Sequence, residues 1–133
     1  MTEVLAFESD SALTAQAAAD IAELLKTAIA ARGNARLVLT GGTLGIKILG
    51  DLAKQNLDLQ NLDVFFGDER FVARDHADRN EHQGLEAWPE LENAKLHRFP
   101  ADDQQLVGAA QAFDSVIEDV LGPINAETAA FDV

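Results

Sequence analysis

The chain has 133 residues, 47% hydrophobic and 25% charged, an ordinary globular profile that excludes disordered, collagen-like and low-complexity classes. Its 10 Lys+Arg against 23 Asp+Glu leave a net charge of −13, which excludes nucleic-acid binding through an overall basic field and attraction to anionic membranes. No apolar run approaches the ~18–20 residues of a membrane span, the opening MTEVLAFESD lacks the basic region of a secretory signal, and the absence of cysteine excludes disulfides and thiol chemistry and fits a cytoplasmic protein.

A single α/β domain is expected over residues 1–133, because no linker and no repeat divides them. The short apolar run at 4–7, VLAF, reads as a first strand. Residues 9–32 carry apolar side chains at 13, 17, 21, 24, 25, 28 and 29, the spacing of an amphipathic helix, with Ser9 or Ser11 as its cap and Gly33 at its left-handed end. RLVLT at 36–40 reads as a buried strand. A second helix is expected over about 43–55, presenting Leu44, Ile48, Leu49 and Leu52. DVFF at 63–66 reads as a strand ending at Gly67, followed by a polar stretch over 67–80 and a short helix near 81–88. KLHRF at 95–99 reads as a fourth strand closed by Pro100. The last helix is expected over about 102–121, with Leu106, Ala110, Phe113, Ile117 and Leu121 on one face. Alternating strands and helices argue for an open, mostly parallel sheet with helices on both faces. TAAFDV begins another buried run; it reads either as a short edge strand at Phe131–Val133 or as an element cut part-way.

Two segments carry candidate chemistry. In LVLTGGTLGIKIL, a strand meets Thr40-Gly41-Gly42-Thr43 and then a helix. The glycines permit a tight turn and close backbone approach, and the helix start offers unpaired N–H groups and a positive dipole end to an anion. Thr40 and Thr43 add hydroxyls. There is neither a G-x-G-x-x-G nor a G-K-[ST] pattern, so dinucleotide and Walker loops are not supported. In VFFGDER, an apolar strand runs into Gly67-Asp68-Glu69-Arg70, and ligands of parallel sheets sit outside the carboxyl ends of strands. Arg70 suits a phosphate or carboxylate, and Asp68 or Glu69 can orient a hydroxyl or accept a proton. Arg70, Arg74 and Arg79 cluster within ten positions, a pattern equally suited to a solvated loop. His76, His82 and His97 lack metal spacing, and no serine sits in a nucleophile elbow.

TGGT at 40–43, GDER at 67–70 and DRN at 78–80 resemble, in order and spacing, the 6-phosphogluconolactonase family, with its S-G-G-S/T-P, G-D-E-R and D-S-N segments and its segment like LHRFP. The match runs from about residue 5 to the last residue. Thr40 stands where Ser is common, Leu44 where Pro is, and Arg79 where Ser is. The resemblance implies a sugar-phosphate isomerase/deaminase/lactonase-like fold and hydrolysis of 6-phospho-D-glucono-1,5-lactone in the oxidative pentose phosphate pathway, with no cofactor and no metal. It implies a phosphorylated sugar lactone on Thr40, Gly41, Gly42, Thr43 and Arg70, Asp68 and Arg70 in the catalytic centre, and Arg79 and Asn80 in a loop over the sugar. Family members continue past the segment matching Phe131-Asp132-Val133 to a G-M-G-x-D-G-H motif bearing the general base, so this chain resembles the N-terminal portion of a lactonase. The alternatives are a non-catalytic sugar-phosphate-binding fragment, a related amino-sugar-phosphate deaminase or pentose-phosphate isomerase, and self-association through an exposed sheet edge at 131–133.

Overall fold

The computed structural model describes residues 2–102, 105–122 and 131–133. Helix α1 spans Asp10–Arg32. Ser9 is extended and its hydroxyl accepts from the Ala12 N–H at 3.1 Å, so Ser9, not Ser11, is the cap. The helix stops at Gly33, whose φ of 82° allows its N–H to close onto the Ile29 carbonyl. Strand β1 (Ala35–Leu39), helix α2 (Gly42–Leu52) and strand β2 (Leu62–Phe66) follow. Next come helix α3 (Asn80–Ala87), strand β3 (Lys95–Leu96) and helix α4 (Leu106–Leu121). The strands form a parallel sheet in the order β1-β2-β3, with Ala35 opposite Leu62, Leu39 opposite Phe66 and Val64 opposite Leu96.

The register sorts side chains by face. Leu37, Leu39, Val64 and Phe66 meet Ala18, Ala22 and Leu25 of α1, Leu49 and Leu52 of α2, and Trp88 and Leu91 beyond α3. The opposite face carries Arg36, Val38, Asp63 and Phe65. There Phe65 stacks on His97 at 4.5 Å and meets Phe131 edge-on, and Arg36 donates to the Val120 carbonyl of α4. Helices therefore lie on both faces. Both expected site segments leave the carboxyl end of the sheet, Thr40 after β1 and Gly67 after β2.

Four expectations are corrected. Residues 4–7 form no strand; Val4 and Leu5 are 88% and 57% exposed. A strand needs a ladder partner. The two sides of β1 are taken by β2 and by 131–133, and β3 has only two residues to offer. The strand expected at 95–99 ends at Leu96, although the His97 N–H still donates to the Val64 carbonyl at 2.8 Å. On α1 the buried side chains are Thr14, Ala18, Ala22, Leu25 and Ala28, while Leu24 is 55% exposed: the face is turned so that alanines admit α2 and β1 closely. On α2 and α4, Leu44 and Leu106 are exposed, and α4 begins at Leu106.

Residues 131–133 run along the free side of β1. The Val133 N–H donates to the Arg36 carbonyl and its own carbonyl accepts from Val38 N, the parallel pattern. Asp132 anchors them through two 2.7 Å contacts from Arg32 and one from the Arg36 N–H at 2.8 Å. The first residues of TAAFDV lie outside the described residues.

Candidate functional site

The turn after β1 is built to leave donors open. Gly41 is the extended N-cap of α2 and Gly42, at φ 84°, begins the helix in a conformation L side chains resist. No side chain caps this end and no acid lies in its first turn, so its N–H groups and dipole face outward unopposed. Thr40 and Thr43 are exposed beside them. Two glycines make the turn close. A Cβ on Gly41 would collide with the Asn80 side-chain oxygen, and a Cβ on Gly45 would lie 2.8 Å from the Thr40 carbonyl oxygen.

The turn after β2 approaches the same place. The Asn80 Nδ2 donates to the Asp68 carbonyl at 2.9 Å and to its carboxylate at 3.0 Å. Asn80 thus binds Asp68 while its side chain fills the space beside the Gly41 backbone that a Cβ would need. Glu69 turns inward, and its carboxylate accepts from the Asn80 and Glu81 N–H groups at 2.7 and 2.9 Å, closing the start of α3.

Of the three clustered arginines, two are spent internally. Arg74 pairs with Glu81 at 3.3 Å, and Arg79 is fully buried among backbone carbonyls and Glu81. Arg79, expected in a loop over the sugar, therefore points into the protein; its place is beneath the pocket wall. Arg70 is exposed, and its guanidinium makes no hydrogen bond or ion pair among the described residues.

A polar cavity of about 630 Å³ is lined by Gly42, Arg70, Asp78, Asn80 and Gln83. It brings together the exposed Arg70 guanidinium, the uncapped start of α2, the Asp78 carboxylate and the Asn80 and Gln83 amides. That combination offers an anion N–H donors and Arg70, and offers hydroxyl groups the side chains of Asp78, Asn80 and Gln83. The sequence reading did not single out Gln83 or Asp78 as lining residues. For Gln83 the signal was present: three positions beyond Asn80 on a helix, it shares that residue's face.

The three histidines lie elsewhere. His97, on the far face of the sheet, pairs with Asp63 at 2.7 Å. His82 faces Glu86 at 3.5 Å on α3, and His76 accepts from the Asp78 N–H. None of them lines the polar cavity. Among the described residues no group of three or more His, Asp or Glu is placed to hold a metal ion, and no helix is long and apolar enough to cross a membrane.

Comparison with known proteins gives this geometry a context. The family described as glucosamine-6-phosphate isomerases/6-phosphogluconolactonase matches residues 8–133. A 6-phosphogluconolactonase of Mycobacterium leprae is 34% identical over 136 residues, which cover 96% of this chain and 55% of that protein. One from Streptomyces coelicolor is 32% identical, covering 99% of this chain and 56% of its own length. In structure, a 6-phosphogluconolactonase from Trypanosoma cruzi superposes with a TM-score of 0.81 over 96% of this chain and 53% of its own, at 21% identity, a likeness of fold. The chain spans about half the length of the curated relatives it matches. A family match over nearly every residue, on a fold that brings the TGGT and GDER turns to one cavity, makes this chain a member of the glucosamine-6-phosphate isomerase/6-phosphogluconolactonase family.

Proposed function

We propose that this chain is the N-terminal portion of a larger lactonase-like domain, and that it holds the phosphate-binding side of a cytoplasmic enzyme hydrolysing 6-phospho-D-glucono-1,5-lactone. The observation that carries the reading is the exposed Arg70 guanidinium, without a partner among the described residues, lining one polar cavity with the uncapped start of α2. In this reading the phosphate rests on the N–H groups of Gly42 and Thr43, with the Thr40 and Thr43 hydroxyls at its rim and Arg70 at contact distance. Asn80 and Asp68 orient the sugar hydroxyls. Hydrolysis proceeds when a base-activated water attacks the C1 carbonyl; the oxyanion collapses and the ring oxygen departs as a hydroxyl after taking up a proton. In this reading Asp68, exposed and held by Asn80, steers that water or its base.

The net charge of −13 does not oppose a dianionic ligand, because charges beyond ~8 Å are largely screened at physiological salt while a helix end and an arginine act in contact. One observation favours a second reading, sugar-phosphate binding without hydrolysis: no histidine lines the cavity. The deciding experiment measures lactone hydrolysis, corrected for the spontaneous rate, and 6-phosphogluconate binding, in this chain and in Arg70→Ala. Hydrolysis lost in the variant supports a base within these residues. Binding without hydrolysis, lost in the variant, supports the second reading. Binding equal in both chains overturns the assignment of Arg70.

A further inference from the structure

The stretch from Gly67 to Arg79 has almost no apolar core of its own, and its order comes from buried charge. Arg79 has 0% exposure. One of its terminal nitrogens donates to the carbonyls of Arg70 at 3.2 Å, Val72 at 3.4 Å and Pro100 at 3.4 Å. The other donates to the Phe99 carbonyl at 3.0 Å and to the Glu81 carboxylate at 3.1 Å. Glu69, its side chain 2% exposed, lies 3.9 Å from the Arg79 Nε and accepts from the N–H groups of Arg70, Asn80 and Glu81 at 2.7–2.9 Å. Taking both charges out of water is costly, and a fold keeps them there only with such dense pairing.

What the pair holds is specific. Arg70 is fixed on both sides of its backbone, its N–H by Glu69 and its carbonyl by Arg79. Asn80 is fixed through its N–H by Glu69 and lies directly after Arg79 in the chain. These two are the polar cavity's exposed cation, without a partner among the described residues, and the amide that binds Asp68 beside Gly41. We infer that Arg79 and Glu69 are positioning residues: a buried clasp that sets the backbones of Arg70 and Asn80 at the cavity wall, so that ligand meets side chains already in place. The inference rests on the sugar-phosphate reading for its ligand, and it gives Arg79 a role in binding without contact.

The test uses the full chain with 6-phosphogluconate and inorganic phosphate as probes, reading affinity by titration calorimetry and local order by amide exchange. In Arg79→Met, affinity for 6-phosphogluconate is expected to fall on the order of 10- to 100-fold, the scale of a small misplacement of binding groups. Exchange at the Asn80 and Glu81 amides is expected to accelerate while Leu37 and Val64 amides stay protected. Arg79→Lys keeps the charge but not the two-pronged reach, so its affinity is expected to remain reduced; wild-type affinity in the lysine variant overturns the clasp in favour of charge alone. If Arg79→Met also unprotects β1 and β2, Glu69→Gln becomes the readout, with about a threefold loss expected from one weakened carboxylate contact set. Wild-type affinity alongside fast Asn80 and Glu81 exchange overturns the inference in whichever variant shows it. If the wild-type chain binds neither probe, the sugar-phosphate reading fails, and the clasp is judged on exchange alone: unchanged protection at Asn80 and Glu81 in Arg79→Met overturns it.

Discussion

The two turns that make the cavity are built on opposite plans. After β1, Gly41 and Gly42 present bare backbone, and neither a cap nor an acid answers the α2 donors. After β2, nearly every charge is answered from within: Glu69 by three N–H groups, Arg79 by carbonyls and Glu81, Arg74 by Glu81. Among the described residues the Arg70 and Asp75 side chains have no partner, and of these two only Arg70 lines the cavity. A cluster of three arginines is therefore not three ligand contacts. The informative group is the one left without a partner where a second unsatisfied element faces it.

The contrast breaks first at Arg79. Replacing it with Met takes away the arginine beside buried Glu69, leaves Glu81 to Arg74 and Arg98 alone, and strands four carbonyls, and a loss of about 3–5 kcal/mol of stability is expected, read from denaturant unfolding. A loss within ~0.5 kcal/mol, the range of an ordinary surface change, would show the second turn does not depend on it. Arg70→Ala tests the other side: stability is expected to stay within ~0.5 kcal/mol while phosphate-dependent binding drops by about 1.5–3 kcal/mol, the worth of a hydrogen bond to a charged group. Gly41→Ala joins the two turns, since its Cβ would displace Asn80. It is expected to cost about 1–3 kcal/mol as an overpacking change and to weaken ligand binding together with stability. Separation of those two effects would show that the Asn80–Gly41 contact is not part of the site.

Smaller effects sharpen the frame around the turns. Asp51 joins α2 to α1: Lys54 donates to it at 2.8 Å and Thr14 from α1 at 2.8 Å. The Lys54 contact first, and the Thr14 hydroxyl second, hold its carboxyl below the usual carboxylate range. Because the folded value is depressed, its contribution to stability is present above the unfolded pKa of ~3.9 and disappears as pH falls through the folded value. Melting temperature measured from neutral pH downward is expected to show a component of acid destabilisation that Asp51→Asn lacks. The smallest effect is kinetic. With a net charge of −13, association of 6-phosphogluconate is expected to quicken modestly as salt is added. A rate that falls with salt would point to a local positive field stronger than the overall one.

Much of the frame was legible in the sequence because it depends on neighbours along the chain. Ser9 caps α1 and Gly33 ends it through contacts three and four residues away, and the apolar runs at 36–40 and 63–66 each found a parallel partner. The meeting of TGGT with GDER followed from the rule that parallel strands deliver their ends to one side. The failures share a cause in distance. VLAF had the composition of a strand and no vacant ladder beside it, and α1 turned its alanine face inward because α2 and β1 approach there.

What the sequence determined by itself was the order of elements from α1 onward and the placement of both turns at strand ends. Only the tertiary structure decided which arginine stays exposed at the polar cavity. DER and DRN are alike in composition, and burial separates them: Arg79 finds its partners at Arg70, Val72, Glu81, Phe99 and Pro100, up to 21 positions away, and leaves solvent, while the Arg70 guanidinium finds none among the described residues and stays exposed. A charge is free to bind only where the fold has not already satisfied it, and that is settled by approach in space, which spacing along a chain does not record.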